Sequence, residues 1–185
     1  MISMKYTWHG QILSLVIAHI EAAFIFFFVW LIAISITGTG LGGLIYSSVS
    51  AVFYSIMMYS VGYSVAKNDK KSYAKLTPFA YKGALISLGL LILNILTAIL
   101  YRMSWTFGSS GGSLTNLWAV IGNVFTLFWF SPYMNLLSLD NGNMSVCGYL
   151  IIVFLHTVMC FLGYLAGYKN FDISAKLKFL FYEKK

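Results

Sequence analysis

Four long apolar runs constrain the fold of this chain more than any other feature of its sequence. Each run reaches the ~20 residues that a helix needs to cross a bilayer, and the runs cover approximately residues 12–36, 44–66, 83–103 and 146–168. Of the 185 residues, 59% are hydrophobic and only 9% are charged, whereas a soluble domain carries about 25% charged residues. The sequence therefore predicts an all-α integral membrane protein with one membrane domain, residues 1–185.

Basic residues are concentrated in two segments of the chain. Of the twelve Lys and Arg, five lie in the loop 67–82 and five in the tail 169–185. Because Lys and Arg collect on the cytoplasmic side of membrane proteins, we expect this loop, this tail and both termini to be cytoplasmic. The net charge of +7 has the same topological explanation. No basic helix with interleaved stacking aromatics indicates nucleic acid as a partner.

A fifth apolar stretch, residues 117–139, is interrupted by Asn123, Pro132 and Asn135 and carries two interface-type tryptophans, Trp118 and Trp129. If it crossed the membrane, the basic tail would lie outside. We therefore predict a re-entrant or interfacial segment on the outer side, with a fifth crossing as the alternative. Such backbone needs cover from protein or a water-filled cavity.

The chain repeats part of itself at a constant offset of 101 residues. Between residues 52–76 and 153–177 there are eight identities in 25 positions, which include the frame GY-x10-AKL. Chance among common membrane residues is one explanation. The other is a duplicated helical hairpin, which predicts two parallel hairpins, a four-helix arrangement with both copies oriented alike.

The repeated frame also predicts where helices meet. Gly62 and Ala66, and their counterparts Gly163 and Gly167, are small residues four positions apart, a spacing that lets two helix backbones approach closely in lipid. The second and last spanning helices are thus the expected central pair. Tyr63 and Tyr164 are expected near the headgroups, and beyond them the inner-surface contacts are predicted to come from Lys75, Lys176 and Lys178.

Three polar residues in the apolar runs are candidates for an intramembrane cluster: Glu21, Asn94 and His156. Asn94 and His156 lie near the middle of their runs. If the first helix starts at Ile12, Glu21 is near the midplane; if the crossing starts near Ile17, Glu21 and His19 lie at the inner interface. A buried Asn or His serves either as a hydrogen-bond partner between helices or as a proton relay or ligand.

The sequence contains no catalytic signature. HExxH, GxSxG and phosphate-loop patterns are absent, and five acidic residues in the whole chain leave little for acid–base chemistry. We expect no enzymatic activity, no cofactor and no metal. The prediction is a non-catalytic accessory or structural subunit of a larger membrane complex. The alternative is a small transporter or channel that forms a homo-oligomer, since four helices are few for a pathway within one copy.

Two segments resemble a known group. GYLAGYKNFDISAKLKFLFYEKK at the C-terminus resembles the ending of small, uncharacterised bacterial multi-pass membrane proteins, and KLTPFAYKGALISLGLLIL is similar to the middle of the same group. The basic loop is shorter and less charged here than is usual for them. The group has no assigned activity, so the resemblance implies only a location in the bacterial cytoplasmic membrane.

Overall fold

The computed structural model of the protein describes residues 7–37, 40–71, 74, 76–108, 113–137 and 146–171. Within these ranges every regular element is helical, with six α-helices numbered in chain order and a 3-10 turn, Ser131–Tyr133, between the fourth and the fifth. The helices are α1 (Trp8–Thr37), α2 (Leu41–Asp69), α3 (Lys82–Gly108), α4 (Ser113–Trp129), α5 (Met134–Leu137) and α6 (Val146–Tyr168).

Three helices in the described part of the chain are long and apolar enough to cross a membrane: Trp8–Ile36, Leu41–Asp69 and Lys82–Leu100. Their outward faces carry large apolar side chains, such as Phe24 and Val52, with more than half of their surface exposed. In water such surfaces would be unfavourable. Length, composition and surface together make the chain a helical membrane protein.

The helices extend beyond the apolar runs of the sequence. α1 begins at Trp8 rather than near residue 12, and α2 ends at Asp69 rather than at Ala66. The extra turns are helical because their polar side chains find partners inside the fold. α3 is also longer than expected and reaches Gly108, whereas the bounds of α6 are those that the sequence predicts.

The helices α2 and α6 form the centre of the fold. They share the most extensive contact between any two elements that the structure describes. Tyr54 contacts His156, and Asp69 contacts Tyr164, so that the contacts advance in the same direction along both helices. The two helices therefore run parallel, and α1 and α3 pack beside them.

The chain reverses direction at the 3-10 turn. Trp129, at the end of α4, and Tyr133, in the turn, hydrogen-bond side chains of the bundle interior. Two residues after the turn ends, Asn135 donates its backbone N–H to Ser47 Oγ and its side-chain amide to the Gly43 carbonyl. Gly43 and Ser47 lie in the first two turns of α2, so the chain goes into the bundle and comes back towards the same side.

Candidate functional site

The most concentrated polar chemistry of the fold is a group of side chains about halfway along the helices. Each member is at most 6% exposed. They come from five different helices and the 3-10 turn, so the group touches almost every packed element. We call it the polar core: His19, Tyr54, Asn94, Trp129, Tyr133 and His156.

Asn94 is the centre of the hydrogen bonding in the polar core. Its Oδ1 accepts a bond of 2.7 Å from Trp129 Nε1, and its Nδ2 lies 2.9 Å from His156 Nδ1. An amide nitrogen can only donate, so His156 Nδ1 is the acceptor and the proton of a neutral ring is on Nε2. His156 Nε2 then donates to the Tyr133 hydroxyl at 3.1 Å. The pairing thus assigns one tautomer to His156 and ties α3, α4, the turn and α6 together.

His19 is bonded less completely than His156. Its Nδ1 pairs with the Tyr54 hydroxyl, and its ring packs 4.4 Å from the Trp129 ring and 5.7 Å from the His156 ring, between centroids. Its Nε2 is buried and has no hydrogen-bond partner among the described residues. An unpaired buried nitrogen is unusual and costly, so His19 is the one histidine of the polar core with an unsatisfied ring nitrogen among the described residues.

A second polar group, which we call the clasp, lies where α2 ends and α3 begins. Lys82 Nζ is 2.6 Å from Asp69 Oδ2, and both side chains are at most 1% exposed. Gln11 donates to Asp69 Oδ1 at 2.6 Å, and the Tyr164 hydroxyl donates to Oδ2 at 2.8 Å. The Lys82 ammonium also lies 5.1 Å from the centroid of the Trp8 ring. One carboxylate therefore joins α1, α2, α3 and α6.

The predicted packing residues lie at the contact between α2 and α6. A Cβ added at Gly62 would meet the Cys160 carbonyl oxygen, and one added at Gly163 would meet the Tyr59 carbonyl oxygen. A Cβ at Gly167 would lie 2.8 Å from that of Ala66. None of these three glycine positions has space for a larger side chain, so the close approach of the two backbones depends on these residues.

Glu21 is not part of the polar core. It is exposed on the outward side of α1, whereas His19 faces inward two residues earlier. Its carboxylate has no hydrogen bond or ion pair among the described residues. Gln11, in the clasp, is ten residues away, or about 15 Å along the helix, which favours the midplane position for Glu21. A charged residue at the centre of a spanning helix costs about 2.5–3.5 kcal/mol.

The remaining sequence predictions divide into three groups. Lys75, Lys176 and Lys178 lie outside the described residues. The described residues contain no group of three or more His, Cys, Asp or Glu that could hold a metal ion. Tyr164 and Trp129, expected at the membrane interface, are instead 0% and 6% exposed, because each donates a hydrogen bond to a buried side chain.

The sequence also left part of the site unrecognised. Asp69 and Lys82 were expected in a solvated loop, because a run of lysines surrounds them. In the sequence, His19 is notable only as a neighbour of Glu21, and Tyr54 and Tyr133 do not differ from the many aromatic residues expected to face lipid. The sequence does distinguish Asp69, because it is the one acidic residue among the five lysines of the loop 67–82. That position makes it a candidate for an ion pair with one of them.

Comparison with known proteins does not place the chain in a family. No family model matches it, and no curated protein or solved structure is significantly similar to it.

Proposed function

We propose that this chain is a non-catalytic accessory or structural subunit of a larger complex in the bacterial cytoplasmic membrane. The observation that carries the proposal is that the hydrogen bonds of Asn94 and His156 are completed within the chain. Asn94 uses both ends of its amide, and His156 uses both ring nitrogens, on neighbours from other helices. Such bonds fasten helices in lipid, and no substrate is needed to complete them.

The topology that goes with this proposal has four spans, arranged as two parallel hairpins, with both termini cytoplasmic. α6 would be the fourth span, since it has 23 residues. The α2–α6 contact supports the hairpin repeat because it is reciprocal at the offset of 101: residue 62 meets 160, and residue 163 meets 59. A two-fold axis produces such reciprocity.

The reversal of the chain after α4 supports an outer re-entrant segment. The 3-10 turn lies at the level of the polar core, and Asn135 lies back at the start of α2. Irregular backbone at this depth requires protein around it, and Ser131, Pro132 and Tyr133 are all buried. A cysteine placed at residue 182 tests the orientation. Labelling of that cysteine by a membrane-impermeant reagent in intact cells would contradict a cytoplasmic tail.

Purification of the tagged full-length chain in a mild detergent tests the subunit proposal. We expect a second membrane protein in fixed stoichiometry, and we expect its complex to be depleted in cells that lack this chain. An unrelated tagged multi-pass protein of similar size is the control for membrane proteins that co-purify non-specifically. If the chain purifies alone and its loss changes no other membrane protein, the subunit proposal fails.

One observation favours transport as a second candidate function. The unpartnered Nε2 of His19 lies in the middle of the bundle, next to a second histidine, and mid-depth ionisable groups mark ion and proton paths in transporters. The variants His19→Ala, Glu21→Gln, Asn94→Ala and His156→Ala test this candidate in proteoliposomes. Equal flux in all four and in the unaltered protein excludes transport through these residues.

A further inference from the structure

The outward face of α1 combines one charge with a broad apolar surface. At 3.6 residues per turn, five large side chains lie within about 60° of Glu21 around the helix axis. Their exposed fractions range from 45% to 62%, and with Glu21 they form what we call the Glu21 face: Ile17, Phe24, Ile25, Phe28 and Ile32. Phe24 and Phe28 form an edge-on pair with centroids 4.8 Å apart, which gives the face a ridge beside the carboxylate.

Among the described residues, no Lys or Arg forms an ion pair with this carboxylate. Residues 8–66, 83–101 and 113–168 contain no Lys or Arg. Lys82 is engaged with Asp69 in the clasp, and Lys67 and Lys70 lie at the last turn of α2, far from the level of Glu21. Intramembrane charges normally pair or face a water-filled cavity, so the partner of Glu21 comes from outside this chain.

A second copy of the chain cannot supply that partner. A two-fold contact through this face would bring Glu21 against Glu21, and two carboxylates in one site repel each other. A contact without two-fold symmetry would also fail, because the Lys and Arg of the helices lie in the first or last quarter of α2 and α3 and not near the middle: Lys67, Lys82 and Arg102. The missing group therefore belongs to a different protein.

We propose that the Glu21 face binds a spanning helix of another membrane protein, and that this helix carries a Lys or Arg near its middle. The proposal rests on the proposed function as an accessory subunit and specifies the partner's chemistry. In a low dielectric, a paired ammonium or guanidinium is attracted to the carboxylate far more strongly than in water. The aromatic ridge also provides ring faces for the same cation.

Site-specific photo-crosslinking in native membranes tests this proposal with the full chain. A photoreactive phenylalanine analogue replaces Phe28, on the Glu21 face, and in a matched control it replaces Phe53, which is 58% exposed at mid-length of α2. Each is made with Glu21 and with Glu21→Gln. We expect adducts at residue 28, but not at 53, with an apolar segment of another protein that contains Lys or Arg. Glu21→Gln should lower the yield about tenfold or more.

A charge exchange distinguishes an ion pair from simple contact. Glu21→Lys should abolish the adduct, and replacing the partner's cation by Glu in the same cells should restore it to within about threefold. Glu21→Asp should retain most of it. Because Glu21 is exposed and has no hydrogen bond or ion pair among the described residues, the variant chains purified without a partner should elute from gel filtration as the unaltered chain does.

Four results would overturn the inference: adducts with a second copy, adducts with lipid alone, a partner segment without a cation, or a yield that Glu21→Gln does not change. If a partner still co-purifies under any of them, the subunit function stands and only the role of Glu21 is lost. If nothing co-purifies with the unaltered chain, the proposed function itself fails.

Discussion

The clasp and the polar core fasten helices of the same bundle with different chemistry. The clasp is built on a full charge pair, Asp69 with Lys82, which lies where two helices end. The polar core is built on the neutral groups of Asn94 and His156, in the middle of the same bundle. Ions are far more costly to bury than dipoles, so the charge pair belongs near the aqueous side and the dipoles belong deep.

This difference predicts how much stability the protein loses when one residue of the clasp or one residue of the polar core is replaced. A buried ion whose partner is removed remains as an uncompensated charge, which costs about 3–5 kcal/mol. A dipole whose partner is removed costs less, from about 0.6 kcal/mol for an average bond between membrane helices to about 1–3 kcal/mol for a fully buried group. The clasp should therefore be the more fragile of the two groups, although it is not the more stabilising one.

The largest effect is expected from Lys82→Met, which leaves the Asp69 carboxylate buried without its cation. The free energy of unfolding in detergent should fall by about 3–5 kcal/mol. Lys67→Met is the matched control, since Lys67 is an exposed lysine on the last turn of α2, and it should cost at most about 0.5 kcal/mol.

The double variant Asp69→Asn, Lys82→Met should regain part of that loss, because the charge is gone while the amide oxygen still accepts from Gln11 and the amide NH2 donates to the Tyr164 hydroxyl oxygen. Denaturant titration of all three proteins measures these differences. If Lys82→Met were no more costly than Lys67→Met, the clasp would not be a buried ion pair.

The next largest loss of stability is expected at the α2–α6 contact, which lies between the clasp and the polar core. Gly163→Ala places a methyl group against the Tyr59 carbonyl oxygen, and overpacking of this kind costs about 1–3 kcal/mol. Gly40→Ala is the control, since nothing lies within 4 Å of a Cβ at that position. Gly163 lies on α6 between His156, in the polar core, and Tyr164, in the clasp. Its substitution should therefore destabilise both groups.

Thermal unfolding of the two glycine variants, followed by circular dichroism, measures this difference. Equal melting temperatures for Gly163→Ala and Gly40→Ala would show that α2 and α6 do not need their close approach.

The parts of the fold that the sequence predicted share a physical cause. The bounds of α6 follow from one apolar run that ends at polar residues, and the α2–α6 contact follows from small residues at a spacing of four. Asn94 and His156 were expected to be near each other because both lie in the middle of long helices. In each case the signal is local or depends only on depth in the membrane.

The parts that the sequence missed depend on which face of a helix points inward. A spanning helix is apolar on all sides, so its sequence gives no periodic contrast between the interior and the lipid. Tyr54 and Phe53 are adjacent and both apolar enough for lipid, yet Tyr54 is 0% exposed and Phe53 is 58% exposed. Only the packing of the other helices distinguishes them.

Within the polar core, Asn94→Leu should have a moderate effect. It keeps the volume but leaves Trp129 Nε1 and His156 Nδ1 without their partner, at a cost of about 1–2 kcal/mol. Thr97→Val on the same helix is the control, because among the described residues the Thr97 hydroxyl donates only to the backbone carbonyl of Leu93 in its own helix. Unfolding by denaturant compares the two. If Asn94→Leu lowered the free energy of unfolding more than Lys82→Met does, the polar core and not the clasp would be the more fragile group.

The smallest effect is expected from Tyr133→Phe, and it allows the most direct comparison of the two levels. Tyr133 accepts from the neutral His156 at 3.1 Å, whereas Tyr164 donates to the charged Asp69 at 2.8 Å. Loss of a neutral bond between membrane helices costs about 0.6 kcal/mol on average, and loss of a bond to a charge costs about 1.5–3 kcal/mol. The same substitution at the two tyrosines should therefore differ at least twofold in its effect on unfolding. If Tyr133→Phe and Tyr164→Phe lower the free energy of unfolding equally, the Asp69 carboxylate behaves as a neutral acceptor. The distinction between a charged clasp and a neutral polar core then fails.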